Sequence, residues 1–200
     1  MRIALPILLL LMTVLPAAGL GIYGGANSYR LLGSDTEGIL PNFERGFDWT
    51  AGLFTDLDFG ENVALRGAIQ MTSRRTWQDT SEGIREDLAL RSFDIPFDLL
   101  LRKAKHRGAF VSLGTALHLP QKASFCEATR GRETSVCVER DLLDELADRE
   151  VTFSLGAGYE FGAGFLWLRY NMGLENIYKT NDAGLDYTSE VISAVIGLRF

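Results

Sequence analysis

The sequence predicts an all-β chain: an eight-stranded antiparallel up-and-down transmembrane β-barrel preceded by a cleaved signal peptide. Three observations lead there. Apolar and polar residues alternate with a period close to two along most of the chain. The charged residues of the alternating segments keep to one phase, opposite a nearly charge-free phase of Leu, Ile, Val and aromatics. The connections between segments alternate between short and long, as in barrels with turns on one side of a membrane and loops on the other. Composition excludes other classes. Of 200 residues, 46% are hydrophobic and 23% charged, which excludes disorder, and a net charge of −6 argues against a nucleic-acid partner.

The chain opens with Met1-Arg2, a single positive charge, followed by an almost unbroken apolar run from Ile3 to Leu15 and then Pro16-Ala17-Ala18-Gly19. A charged start, a short apolar stretch and small residues at its exit predict a secretory signal peptide over residues 1–18, cleaved after Ala18 or Gly19. The run is shorter than the ~20 apolar residues of a spanning helix, and no later run is long enough to be one. No cysteine follows the small residues, which disfavours a lipoprotein. The barrel domain is then 19–200.

The first strand, about Leu20 to Leu31, alternates poorly, and its faces are not assigned. The second places Trp49, Ala51, Leu53, Leu57 and Phe59 opposite Asp48, Thr50, Gly52, Asp56 and Asp58. After Gly60-Glu61-Asn62, Val63, Leu65, Ile69 and Met71 alternate with Ala64, Arg66, Ala68, Gln70 and Thr72. In the fourth strand Phe93, Ile95, Phe97, Leu99 and Leu101 alternate with Ser92, Asp94, Pro96, Asp98 and Arg102, with Pro96 marking a bulge. A basic turn, Lys103 to Gly108, leads to Val111, Leu113, Leu117 and Leu119, which alternate with Phe110, Ser112, Gly114 and His118. The sixth strand sets Val151 to Phe161 against Thr152 to Glu160, and Gly162-Ala163-Gly164 reverses it. The seventh sets Leu166, Leu168, Tyr170, Met172 and Leu174 against Trp167, Arg169, Asn171, Gly173 and Glu175. The last sets Ile192, Ala194, Ile196, Leu198 and Phe200 against Ser193, Val195, Gly197 and Arg199. Long loops are expected at 32–46, 74–87, 120–148 and 178–187, and a short surface helix within 139–149, where Leu142, Leu143, Leu146 and Ala147 recur at helical spacing.

The side that carries the charges decides the solvent. A soluble barrel would bury about ten ionised groups, each costing several kcal/mol unless paired. A membrane barrel turns them inward and exposes the apolar phase to lipid. Phe47, Trp49, Phe59, Tyr159, Phe161, Phe165, Tyr170 and Phe200 suit interfacial girdles. An eight-stranded interior is just wide enough for its own side chains. Arg66, Arg102, Arg169 and Arg199 facing Asp56, Asp94, Asp98, Glu160 and Glu175 are therefore expected to form a salt-bridged plug, the alternative being a pore lining. Cys126 and Cys137, the only cysteines, fall in one outward loop of an exported chain and are expected to pair. Closing that loop would contribute about 3 kcal/mol.

Arg169-Tyr170-Asn171-Met172-Gly173-Leu174-Glu175-Asn176-Ile177 resembles the penultimate-strand motif of the PorT-like outer-membrane β-barrel family of Bacteroidota. Asp94-Ile95-Pro96 resembles that family's acidic-Ile-Pro step, and Gly197-Leu198-Arg199-Phe200 its closing strand. Asp at position 94, where Glu is more usual, and the cysteine-bearing third loop depart from the family pattern. The resemblance implies an outer-membrane barrel, and some members serve protein secretion and gliding machinery. Phe200 on an alternating strand also resembles the signal read by the barrel-assembly machinery.

No Gly-x-Ser-x-Gly elbow, HExxH pair or P-loop occurs, and the only imidazoles are His106 and His118. The expectation is a non-enzymatic protein without cofactor or metal. Its partners would be outer-membrane lipid, the assembly machinery and a protein at the outward loops. It would act as an anchor or accessory component of a secretion or surface complex, with a narrow transport or ligand-binding channel as the alternative.

Overall fold

A computed structural model describes residues 19–34, 43–79, 84–129, 138–178 and 186–200. The expected signal peptide and Cys137 lie outside them. The strands are β1 (Gly19–Ser34), β2 (Glu44–Asp58), β3 (Val63–Asp79), β4 (Ile84–Ala104), β5 (Arg107–Thr129), β6 (Val138–Asp141), β7 (Glu150–Phe161), β8 (Gly164–Gly173) and β9 (Asp186–Arg199). Each long strand pairs antiparallel with its neighbours in sequence order, apart from the short β6, and β9 returns to pair with β1 from Gly21↔Arg199 to Ser34↔Asp186. Eight strands thus close into one ring. β6 is a four-residue addition to the far part of β5, beyond the stretch that pairs with β7.

Closure satisfies the backbone, and the pleat sorts the side chains. Leu166, Leu168 and Ile196 point outward, each more than half exposed, whereas Arg66, Asp98 and Glu160 point to the axis and are at most 1% exposed. The outward face of β2 runs from Trp49 to Phe59 at the turn, about 33 Å along the strand and about 25 Å across a membrane at a tilt near 40°. That matches the apolar band of an outer-membrane barrel. The short turns define the periplasmic end. The faces of β1 are now assigned: Tyr23, Asn27 and Tyr29 are buried, and Leu20 and Ile22 exposed.

Several expectations are corrected. The segments 74–79 and 84–92 belong to β3 and β4, which continue past the apolar band, and β5 continues to Thr129. Polar residues occupy both faces there (Arg74-Arg75-Thr76-Trp77-Gln78-Asp79), so the alternation that marks a lipid-facing strand vanishes although the ladder persists. Residues 139–149 form no helix. After β6, Leu146 N–H donates to Leu142 C=O in a single turn, and Leu146 then bridges to Tyr178. The helical spacing reflected two leucines turned together into a buried cluster. Pro96 marks no bulge. The β3–β4 register is the same on either side of it, and only the pairing is interrupted, as a residue without N–H requires. The register shifts of the β4–β5 pair lie instead at Arg91/Ser92 and Arg102/Ala104. Phe165 is not at a girdle but fully buried inside the ring.

Two inward glycines make room for that interior. A methyl group at Gly156 would meet the Trp167 indole and the Ser112 hydroxyl, and one at Gly158 would meet the Phe110 ring.

A charge placed at the middle of the outward face tests the inside-out arrangement. Leu168→Arg is expected to lower unfolding stability in lipid vesicles by about 2–4 kcal/mol, the cost of a charge at the bilayer midplane. A change near zero would mean that this face meets water.

Candidate functional site: the charge-filled lumen

The lumen is built in layers. At the periplasmic end Asp56 and Arg66 are direct partners across β2 and β3, so both side chains turn inward together. Arg66 donates Nε and Nη2 to the two oxygens of Asp56, at 2.7 and 2.9 Å. Arg199 Nη2 donates to Asp56 at 2.6 Å and to Glu160 at 2.9 Å, tying the last strand to β2 and β7. Arg102 donates to Glu160 at 3.4 Å and also to Asp58, while Lys105 Nζ lies 3.0 Å from Asp58. Three carboxylates therefore face three guanidiniums, with Lys105 at the half-exposed edge.

Aromatic rings form the next layer. The Arg66 guanidinium lies 4.4 Å from the Phe54 centroid and 4.3 Å from that of Phe165, with Trp167 at 5.3 Å. A weakly hydrated planar cation suits this position, because its face stacks while its edge holds the carboxylate. Arg169 lies 4.4 Å over the other neighbour, Trp167, and its Nη2 is 3.1 Å from Asp98, which also accepts from Ser154 Oγ at 2.8 Å.

Farther out, Asp94 accepts from Gln70 Nε2 at 2.9 Å and from Thr72, and lies 2.7 Å from His118 Nδ1. Arg74 reaches Glu150 at 3.0 Å and Asp94 at 3.8 Å. His118 Nε2 and Thr152 Oγ1 are 2.9 Å apart, and Ser189 donates to Glu150. Cavities of about 10 and 20 Å³ flank this cluster, each the room of about one water molecule. An apolar layer, Tyr29, Leu31, Leu88, Leu142, Leu146, Ile177 and Tyr187, covers the outer end.

The structure thus gathers Asp56, Arg66, Arg102, Glu160 and Arg199 in one layer and places Asp94, Asp98 and Arg169 farther along the axis. Glu175 is the exception: it lies past the end of β8 and is exposed. Sequence reasoning missed Arg74 and Glu150. Arg74 continues the inward phase of Gln70 and Thr72, a signal hidden because 74–87 was expected to be loop. Phe165 shares the phase of Trp167, a signal that was also present. Cys126 lies on β5, with Asp87 as its neighbour on β4 and Glu139 on β6. Phe200 is exposed, and its N–H donates to Leu20 C=O at 2.8 Å. Among the described residues no group of three or more His, Cys, Asp and Glu side chains is arranged to hold a metal.

The fold and its lumen define the class: a small β-barrel of an outer membrane. Among the solved structures that share the fold are two with TM-scores of 0.50 and 0.51. The attachment invasion locus protein of Yersinia pestis is 14% identical, with a TM-score of 0.50 over 92% of this chain and 99% of its own. Neisserial surface protein A is 12% identical, with a TM-score of 0.51 over the same shares. No family model and no curated protein matches the sequence.

Two measurements test the lumen. Arg66→Met leaves Asp56 and Glu160 short of counter-charge in a dry layer, and about 3–5 kcal/mol of stability is expected to be lost in urea unfolding from detergent micelles. A smaller combined loss in the double variant with Asp56→Asn than the two single losses added would measure the pair itself. The second concerns His106 in the β4–β5 turn, held between Arg102 (Nη1 at 3.1 Å) and Asp58 (3.6 Å). Burial, aided by Arg199, holds its imidazole below the usual histidine range. Below pH ~6.5 the unfolded chain then binds more protons at this residue than the folded one, so its contribution to stability falls as pH falls. His106→Gln is expected to reduce the stability difference between pH 7.5 and 5.5, and an unchanged difference would count against it.

Proposed function

We propose that this chain is a non-conducting, non-enzymatic outer-membrane barrel whose sealed lumen makes it an anchor for its outward face. In this reading it is an accessory component that meets a protein partner of a secretion or surface assembly. The observation that carries the reading is the closure of the lumen at successive levels: ion-paired charges, stacked aromatic rings and an apolar cap. Cavities of about 10 and 20 Å³ beside the Asp94–His118 cluster hold about one water molecule each, which supports a lumen that does not conduct.

The outward face is built for contact rather than for permeation. β3, β4 and β5 carry their ladders past the last lipid-facing residues as far as Asp79, Ile84 and Thr129. A stiff wall of this kind presents side chains at fixed positions. Membership of the PorT-like family is part of the proposal. It is supported by the place of its motif, where Arg169 pairs with Asp98 in the lumen and Ile177 sits in the apolar cap. A Cys126–Cys137 bond would tie the far part of β5 to the segment that follows it, and is proposed on the same footing.

A second reading, a narrow channel, is favoured by the polar lining that runs along the axis from Asp58 to Glu150. Planar-bilayer recording of the purified barrel separates the two. No steady conductance is expected, and ion-selective steps would overturn the sealed-lumen reading. Copurification of a defined partner from outer membranes in mild detergent is expected, and a clean monomer would count against the accessory role.

A further inference from the structure

The short turn between β4 and β5 carries the densest run of basic residues in a chain of net charge −6: Arg102, Lys103, Lys105, His106 and Arg107 fall within six positions. Three of them are taken up by carboxylates of the lumen. Arg102 reaches Asp58 and Glu160, Lys105 lies 3.0 Å from Asp58, and His106 sits between Arg102 and Asp58. Lys103 and Arg107 are different. Both are exposed, and neither side chain has an ion-pair partner among the described residues.

The pleat turns these two cations to the lipid side. Lys103 continues the outward phase of Leu99 and Leu101. Arg107 is the direct partner of outward-facing Phe161 on β7. Its partner on β4 is Ala104, so the two cations lie on adjacent strands, one residue out of line. Neighbouring turns hold the segment in place. Asn62 Nδ2 donates to Lys103 C=O at 3.0 Å, and Gly162 N–H donates to His106 C=O at 3.0 Å. The two positions are therefore fixed by backbone contacts and not by a mobile tip.

No carboxylate of this end balances them. Asp58 and Glu160 are engaged with Arg102, Arg199 and Lys105. Glu61, in the β2–β3 turn, is the one exposed carboxylate of the three short turns, and it pairs with neither. Immediately toward the membrane the same face is apolar: Leu101 and Val111 are direct partners, and both are exposed.

We propose that Lys103 and Arg107 bind the phosphate of an anionic glycerophospholipid in the periplasmic leaflet, whose acyl chains lie along Leu101, Val111 and Phe161. Position selects the occupant. The cations sit at the edge of a surface that faces hydrocarbon, so an anion tethered to apolar chains satisfies both halves, and a free anion only one. Charge selects among lipids, because a zwitterionic headgroup brings its own ammonium to compete for the phosphate. Arginine supplies a planar fork of donors and lysine a point charge, and both suit phosphate. The site lies outside the lumen and does not depend on whether the lumen conducts.

The test uses the purified full chain in zwitterionic micelles, with lipid retention counted by native mass spectrometry. Phosphatidylglycerol, phosphatidylcholine and inorganic phosphate are the probes. Folding of each variant is checked by heat-modified gel migration. Wild type is expected to retain phosphatidylglycerol but not phosphatidylcholine. K103Q/R107Q is expected to bind phosphatidylglycerol about 30-fold more weakly, at about fivefold for each basic residue near a charged lipid surface. The charge-preserving K103R/R107K is expected to restore retention. R75Q/R91Q, which removes two exposed cations at the opposite rim, is expected to match wild type. Equal retention of phosphatidylglycerol by K103Q/R107Q, an equal loss in R75Q/R91Q, equal retention of phosphatidylcholine, or displacement of the lipid by inorganic phosphate would each overturn the proposal.

Discussion

Hydrocarbon leaves a backbone amide no partner except another backbone group, and the rest of this structure follows from that constraint. A sheet in lipid must close, because an open edge would strand a row of donors and acceptors. Once closed, it has two surfaces that cannot exchange roles. The outer one meets acyl chains and must be apolar, so the ionised groups of the spanning strands have only the axis left to them. The period-two pleat turns this into a sequence rule. A one-residue slip would carry Arg66 or Asp98 into lipid and Leu168 into the lumen, so the register is fixed at every strand pair.

The interior charges are better understood as specifying the ring than as stabilising it. A buried ion pair recovers little more than the desolvation it costs, yet leaving one member unpaired is strongly unfavourable. The contacts run between strands distant in sequence: Arg199 on β9 meets Asp56 on β2 and Glu160 on β7, and Arg102 on β4 meets Glu160 as well. A barrel with another strand order or register would separate these groups and leave them unpaired in a dry layer. Gly156 and Gly158 contribute to the same end, since the large rings of Trp167 and Phe110 can lie over the adjacent β7 only where that strand has no side chain.

Legibility followed the solvent. Where strands face lipid on one side and packed charge on the other, the contrast is maximal, and β7 and β9 could be assigned residue by residue, as could β8 apart from Phe165. β1 was opaque because Gly21, Gly24 and Gly25 carry no polarity and Tyr23 and Tyr29 look alike whichever way they point. Past the apolar band the contrast collapses. There Arg74, Thr76 and Gln78 face inward while Arg75 and Trp77 face outward, and no polarity pattern separates strand from loop. Arg74 and Glu150 were lost for this reason. Glu175 was misplaced by the converse error: its phase was right, but β8 stops at Gly173.

Along single strands the inward face reverses its chemistry. On β1 it passes from Asn27 to Tyr29 and Leu31, on β4 from Asp94 to Leu88, and on β5 from His118 to Ala123. Outward residues reverse in the opposite sense over the same span, from Phe93 to Arg91 and from Leu119 to Lys122. Below the crossing the barrel follows the membrane rule, with the charged groups inside among buried rings and apolar groups outside. Above it the ordinary rule of a water-soluble protein returns, and Leu142, Leu146, Ile177 and Tyr187 close a small apolar core over the lumen. The crossing marks the water boundary more sharply than the girdle aromatics do, because it depends on two faces changing together. It also accounts for the apolar cluster at the outer end: the strands that leave the bilayer need an interior of their own, and these buried residues are the core that lets them continue into water as a folded wall.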